Sequence, residues 1–171
     1  MLLALSVDSF AVELIKFNDF LKSELSASSK TAKETFTLSG EQKAALKSVA
    51  EDASDSTITF YYGKNSEGNV DKSCTVIPQR GKEGPMTVGV CFDPAGLVTS
   101  LVILSHEEER GKKAIEGKEF LKQFKGKNAS SAFRVGKDVD AVTGATVTSK
   151  ALSEAVRKAS FGYVQFVERK K

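Results

Sequence analysis

The chain of 171 residues has no tryptophan, three prolines, two cysteines and a single histidine. Cys74 and Cys91 sit in separate apolar, strand-like runs. Neither belongs to a CxxC, and His106 is far from Cys74 and not close to Cys91 in sequence. This set argues against a metal site built from thiolates and imidazole. Two buried thiols are the default for these cysteines. A disulfide requires both an oxidising compartment and neighbouring strands. Long apolar runs are missing too, and none approaches the roughly 20 residues of a membrane helix. Met1 to Ala4 is apolar, but it lacks a basic flank and Asp8 interrupts it early, so no complete signal peptide is present. It reads either as the stub of a trimmed anchor or as the start of a soluble protein. Charge of one sign is also scarce. The net charge of +3 is spread along the chain, without the concentrated basic stripe that a nucleic-acid partner requires. No internal repeat is evident. No Ser/His/Asp or Cys/His constellation stands out for chemistry on a small substrate.

What the chain does have is helical and strand periodicity in alternation. Phe10, Leu14, Phe17 and Leu21, widened by Ile15 and Phe20, predict an amphipathic helix over roughly 7–24. A Ser-, Lys- and Thr-rich linker is expected from Ser26 to about Phe36. A second helix should start at Ser39. Gln42 completes a capping-box pattern there, and Ala45, Leu46, Val49 and Ala50 form the buried side.

The middle reads as β structure. Ile58, Phe60 and Tyr62 alternate on one face of 57–62, and Gly63, Asn65, Gly68 and Asn69 mark a turn. Ser73 to Ile77 is a short strand, and Gly81, Gly84 and Pro85 break the chain again. Met86–Phe92 and Leu97–Leu104, joined by Asp93-Pro94-Ala95-Gly96, predict a hairpin. Ile115, Phe120, Leu121 and Phe124 suggest a short helix ending near Gly126, followed by an extended return over Phe133–Val142. The last helix should run from about Val147 to Val167 with Leu152, Ala155, Val156, Ala159, Tyr163 and Phe166 inward. The expected class is α+β: a mostly antiparallel sheet with flanking helices in one compact unit. Its expected parts are an N-terminal helical segment, 1–55, and a main domain, 56–171.

The functional signal is Asp140–Ser149, DAVTGATVTS, at the start of that last helix. Gly144 allows unusual backbone angles and Ala145 keeps the surface low. Thr143, Thr146, Thr148 and Ser149 crowd hydroxyls around a helix N-terminus. Its unpaired N–H groups and positive dipole end suit a phosphate there. The same hydroxyls serve equally as simple N-caps with nothing bound.

DAVTGAT resembles the flavinylation motif of the FMN-binding domain family. That pattern is Asp, two variable residues, Ser or Thr, Gly, Ala and an acceptor Thr. The family includes the C subunit of the sodium-translocating NADH:quinone oxidoreductase and the G subunit of the Rnf complex. The likeness extends upstream through the hairpin 86–104, SHEEERG and FLKQFKGK, and covers roughly residues 84–160. His106 and Glu108 match a His-x-Glu-Thr pattern of the family. Glu109 stands where the Thr would be, and Lys112-Lys113 replace Gly-rich sequence.

The resemblance implies FMN attached covalently at Thr146 through a phosphoester. A separate flavin transferase, dependent on FAD and magnesium, would make that bond. It implies Asp140, Thr143, Gly144, Ala145 and Thr146 as the motif, and 56–171 as the FMN-binding domain. Val147, Thr148, Ser149, His106 and Glu108 would be further cofactor-binding residues, with Thr148 and Ser149 donating to phosphate oxygens. Asp140 is expected to assist the transferase, or to act as a turn-capping residue. The function implied is an extracytoplasmic electron carrier in a membrane-associated redox chain, served by partner proteins, rather than a self-sufficient enzyme; the alternatives are a module that binds FMN without a covalent bond and a structural or interaction domain with no flavin.

Overall fold

A computed structural model describes residues 11–168. Among these residues six antiparallel strands form one sheet: β1 (Val12–Glu13), β2 (Lys30–Thr37), β3 (Thr57–Lys64), β4 (Val70–Arg80), β5 (Pro85–Phe92) and β6 (Val98–His106). Their spatial order is β1-β6-β5-β4-β3-β2. From β2 to β6 each strand therefore pairs with its successor, and β1 closes the far edge against β6. Among the described residues five helices accompany the sheet: α1 (Phe17–Glu24), α2 (Gly40–Val49), α3 (Lys112–Ile115), α4 (Lys118–Lys122) and α5 (Thr146–Gly162), the last running into a π-helical turn, Tyr163–Val167. The class is α+β, as the alternating patterns implied.

The main core lies between one face of the sheet and α5. Ile58, Phe60 and Tyr62 alternate inward from β3, as the period of two requires. Leu152, Ala155, Val156, Ala159 and Tyr163 descend from the helix to meet the sheet. Gly162 permits the closest approach, because a Cβ there would lie 2.9 Å from Ile58 Cδ1. Phe166 is half-buried and stacks on Phe36.

The opposite face holds a smaller cluster in which Phe20 and Leu25, from α1 and its end, cover Cys74, Cys91 and Leu104. Phe20 lies against Gly89, where any Cβ would collide with the ring at 2.6 Å. Cys74 and Cys91 are direct cross-strand partners of β4 and β5 and form a disulfide. The neighbouring-strand condition for that bond is thus met.

The structure corrects several expectations. The first helix begins only at Phe17. The Leu14 and Ile15 amides both donate to Leu104 O instead, at 2.8 and 3.2 Å, which fixes this stretch on the sheet edge. Phe10 lies outside the described residues. The expected linker contains β2, whose eight residues pair throughout with β3. Hydrogen bonding to a neighbour outweighs its polar composition. The N-terminal 55 residues thus give two strands to the sheet as well as two helices. Within α2, Ala45 is exposed rather than buried. The short strand expected over Ser73–Ile77 is β4, which runs to eleven residues, through Pro78. The expected helix around Phe120 is split by Gly117 into α3 and α4. Finally, Phe133–Val142 is no extended return. It is a set of tight turns in which Phe133 has φ +43°.

Candidate functional site

Those tight turns are held by one carboxylate. Asp138 accepts hydrogen bonds from the Phe133 and Arg134 amides, at 3.0 and 2.7 Å, and pairs with Lys127 at 3.6 Å. Burial alone would raise the Asp138 pKa. The two amides and the Lys127 cation outweigh it and hold the pKa below its ordinary value. Two residues on, the Gln123 side chain clamps the backbone of Asp140. The Asp140 amide donates to Gln123 Oε1 at 2.7 Å, and Gln123 Nε2 donates to Asp140 O at 3.3 Å. The chain then turns at Gly144, whose φ of +80° suits glycine. A Cβ at Gly144 would meet nothing within 4 Å, so the backbone angle is what requires glycine here.

α5 starts at Thr146 with Ala145 as its N-cap residue, and no side chain caps it. The first-turn amides are therefore left without the side-chain acceptor that usually meets them. Around this turn Asp140, Thr143, Thr146 and Val147 are exposed or half-exposed. Among the described residues the Asp140 carboxylate and the Thr143 and Thr146 hydroxyls take part in no hydrogen bond. Beside them runs an open groove of about 730 Å³, lined by Ala114, Lys118, Phe120, Asp140 and Thr143 among others.

Beneath this surface lies a second set of groups, of which His106, Glu108, Thr148 and Ser149 are buried. Ser149 Oγ donates to Ala145 O at 2.9 Å and accepts from the Val142 amide at 3.0 Å. Thr148 Oγ1 donates to Glu108 Oε2 at 2.6 Å. The other oxygen of Glu108 accepts from the Glu83 amide at 3.1 Å. The Glu108 amide donates to His106 Nδ1 at 2.9 Å. That bond leaves the ring proton on Nε2, which donates to Glu116 Oε1 at 2.8 Å. His106 and Glu108 are 1% and 2% exposed. A buried carboxylate is tolerable here because it faces the positive end of α5 and is hydrogen-bonded on both oxygens. Gly81 makes room for it, since a Cβ there would lie 2.1 Å from Glu108 Oε1. Gly111, at φ +70°, brings its loop against Ala145, where a Cβ would lie 2.7 Å from the Ala145 Cβ.

The fold thus brings together every residue the sequence singled out but sorts them into two layers. Asp140, Thr143, Thr146 and Val147 face outward. Thr148 and Ser149 do not offer their hydroxyl protons to an external phosphate, because both are engaged inward, on Glu108 and Ala145 O. His106 and Glu108 lie beneath the turn rather than on its open side. Gln123, Glu83, Gly111 and Glu116 complete the arrangement. They lie far from the motif in sequence, and no local spacing marks them.

Comparison with known proteins follows the same region. Residues 81–160 match the family model described as FMN-binding domain. The G subunit of the proton-translocating ferredoxin:NAD(+) oxidoreductase complex of Clostridium ljungdahlii is 37% identical over 92 residues. The match covers 49% of this chain and 50% of that protein, so the chain spans about half the length of this curated relative. Two solved structures share the fold. NqrC of Shewanella oneidensis superposes with a TM-score of 0.61 at 16% identity, over 92% of this chain and 90% of that one. The C subunit of the Na(+)-translocating NADH-quinone reductase of Parabacteroides distasonis gives 0.52 at 22% identity, over 80% and 78%.

Proposed function

We infer that this chain, whose residues 81–160 match the family model described as FMN-binding domain, is a flavin-carrying electron-transfer domain with FMN esterified through its phosphate to the Thr146 hydroxyl. The observation that carries this reading is the pairing of a free, exposed Thr146 hydroxyl with a helix start that no side chain caps. The residues present fit the group. The first-turn amides and the dipole of α5 favour a phosphoester charge at that point. The buried layer of Ser149, Thr148 and Glu108 fixes the turn from below. Bound flavin supplies the one- or two-electron chemistry, and the protein supplies orientation and exposure.

Attachment is the work of a separate flavin transferase using FAD and magnesium. The Thr146 oxygen bonds to the FMN phosphorus, the FAD pyrophosphate bond breaks, AMP leaves and the hydroxyl proton is released. We assign Asp140 to that transferase's recognition, a reading supported by a carboxylate that is exposed, has no partner among the described residues and lies on the same turn. The groove beside Thr143 is open. An open groove buries little of a ring, which favours a covalent tether over an equilibrium site.

Val147 offers a half-exposed apolar surface next to the acceptor, suited to contact with the cofactor. The Cys74–Cys91 disulfide supports an extracytoplasmic location, because such bonds persist in oxidising compartments. Among the described residues no helix is long and apolar enough to cross a membrane. Redox partners within a membrane complex are proposed from the names of the relatives, each part of a larger redox assembly.

The direct test is intact mass after co-expression with a flavin transferase. The expected gain is one FMN less one water, lost in Thr146→Ala. Peptide mapping that leaves Thr146 bare would overturn the reading.

A further inference from the structure

The same flank of α5 that begins with Thr146 continues into a second feature, unrelated to the ester. Lys150 is one helical turn further on, and Ser153, Arg157 and Ser160 follow at helical spacing. Two adjoining hollows of about 280 and 460 Å³ lie along this flank. Their shared walls are the end of α2, at Ser48 and Val49, and the turn at Arg134.

Arg157 forms the floor. Its Nε donates to Val49 O at 2.7 Å and its Nη1 donates to Phe133 O at 2.6 Å. Both acceptors are neutral carbonyls, and among the described residues no carboxylate lies within ion-pair distance of this guanidinium. Burial lowers its pKa from the ordinary value, yet a guanidinium keeps its charge at neutral pH. The rest of its planar fork of donors remains available.

Four more cations line the hollows: Lys47, Arg134, Lys137 and Lys150. None has an ion pair among the described residues. The lining carboxylates are Glu51 and Glu154, and Glu154 is taken up by the Asp52 amide at 2.6 Å. At the far end Ser160 lines the larger hollow, and its buried hydroxyl has no partner among the described residues. A buried hydroxyl without a partner calls for one.

We propose that this groove between α2 and the turns at 133–137 docks an acidic, extended segment of a partner protein, with a carboxylate seated on Arg157. Charge complementarity sets the choice: five lining cations face two lining carboxylates, Glu51 and Glu154, with Asp138 the further carboxylate that acts on Arg157. The groove is long, running over about three turns of α5, which suits a chain rather than a single small anion. A partner seated here would lie alongside the helix whose first residue is Thr146. The groove does not depend on that residue being modified.

The test is a titration of the full chain with fluorescein-labelled hexaglutamate, read by polarisation and by the Arg157 Nε–H resonance in a nitrogen-edited spectrum. Binding should shift that resonance and should weaken about tenfold between about 0.05 and 0.3 M salt. The triple variant Lys47→Glu/Arg134→Glu/Lys150→Glu should bind about tenfold more weakly or worse. A control with equal charge change on other exposed positions, Lys22→Glu/Lys30→Glu/Lys125→Glu, should keep most of the affinity. Thr146→Ala should bind as the parent does, which separates this inference from the ester. Equal loss in both triple variants would overturn the proposal, as would an unmoved Arg157 resonance. So would inorganic phosphate or a single-stranded oligonucleotide displacing the peptide at a lower concentration than unlabelled hexaglutamate does.

Discussion

Two helix starts in this molecule solve the same problem in opposite ways. At α2, Ser39 accepts the Gln42 amide at 3.2 Å and the Gln42 side chain accepts the Ser39 amide at 2.9 Å, a reciprocal capping box. At α5 the corresponding residue is Ala145, with nothing to offer, and the nearby hydroxyls of Thr148 and Ser149 turn inward. The first start is finished by its own side chains. The second is braced from below and left open above. An open helix start costs stability unless something else meets its amides, so the brace and the opening belong together.

Five substitutions should break or sharpen this contrast. The largest effect is on attachment. Asp140→Ala should abolish flavin loading, read by intact mass, while stability stays within about 0.5 kcal/mol of the parent, as for other exposed positions. Normal loading would remove Asp140 from the transferase's needs. Next is the brace. Glu108→Leu leaves the Thr148 hydroxyl and the Glu83 amide unpaired and should cost about 2–4 kcal/mol in denaturant unfolding. A change below that range would mean that the buried layer carries little.

Asp138 comes third. Asp138→Asn should cost about 2–3 kcal/mol, since the two amides use different carboxylate oxygens and the Asn NH2 that replaces one of them cannot accept, leaving one amide without its acceptor and the other on a neutral one. The pH dependence follows from its lowered pKa. The stabilisation is present at neutral pH and down to the unfolded-state value, about 3.9. It is lost as pH falls further, through the lowered folded value. Acid titration of the turn at 133–138 should therefore show extra protection in the parent that the Asn variant lacks. Last come the caps themselves. Ser39→Ala should cost about 1 kcal/mol. Ala145→Ser should change stability by less than about 0.5 kcal/mol, because ψ of 34° at Ala145 is far from the extended geometry of a capping residue. A clear gain from that substitution would erase the distinction between the two starts.

The same contrast explains what could be read from the sequence. The Ser39 box spans four adjacent residues, so its spacing is visible without the fold. The alternation of Ile58, Phe60 and Tyr62, the hairpin around Asp93–Gly96 and the stripe of α5 are local in the same sense. The DAVTGAT turn was visible as a seven-residue pattern. Its support was not, because Thr148 meets Glu108 forty positions away and Gln123 grips Asp140 across seventeen. β2 was hidden for a related reason. Its residues are polar, and only pairing with β3 makes them a strand. The turns at Phe133–Val142 depend on Asp138 gripping two amides, which periodicity does not encode. The five cations of the groove come from three separate stretches, so a count of charge along the chain shows only a weak, scattered excess.

The order of the sheet is also an order of assembly. From β2 onward each strand finds its mate in the next one along the chain, so these pairings can zip forward as hairpins. β1 alone waits, since Val12 pairs with His106, more than ninety positions later. Its closure carries the largest loop entropy in the sheet for only two residues of ladder. In a refolding experiment pulsed with deuterium, the amides of Leu14 and Ile15 should gain protection after those of every other strand, so the amino-terminal edge latches a sheet that is already built.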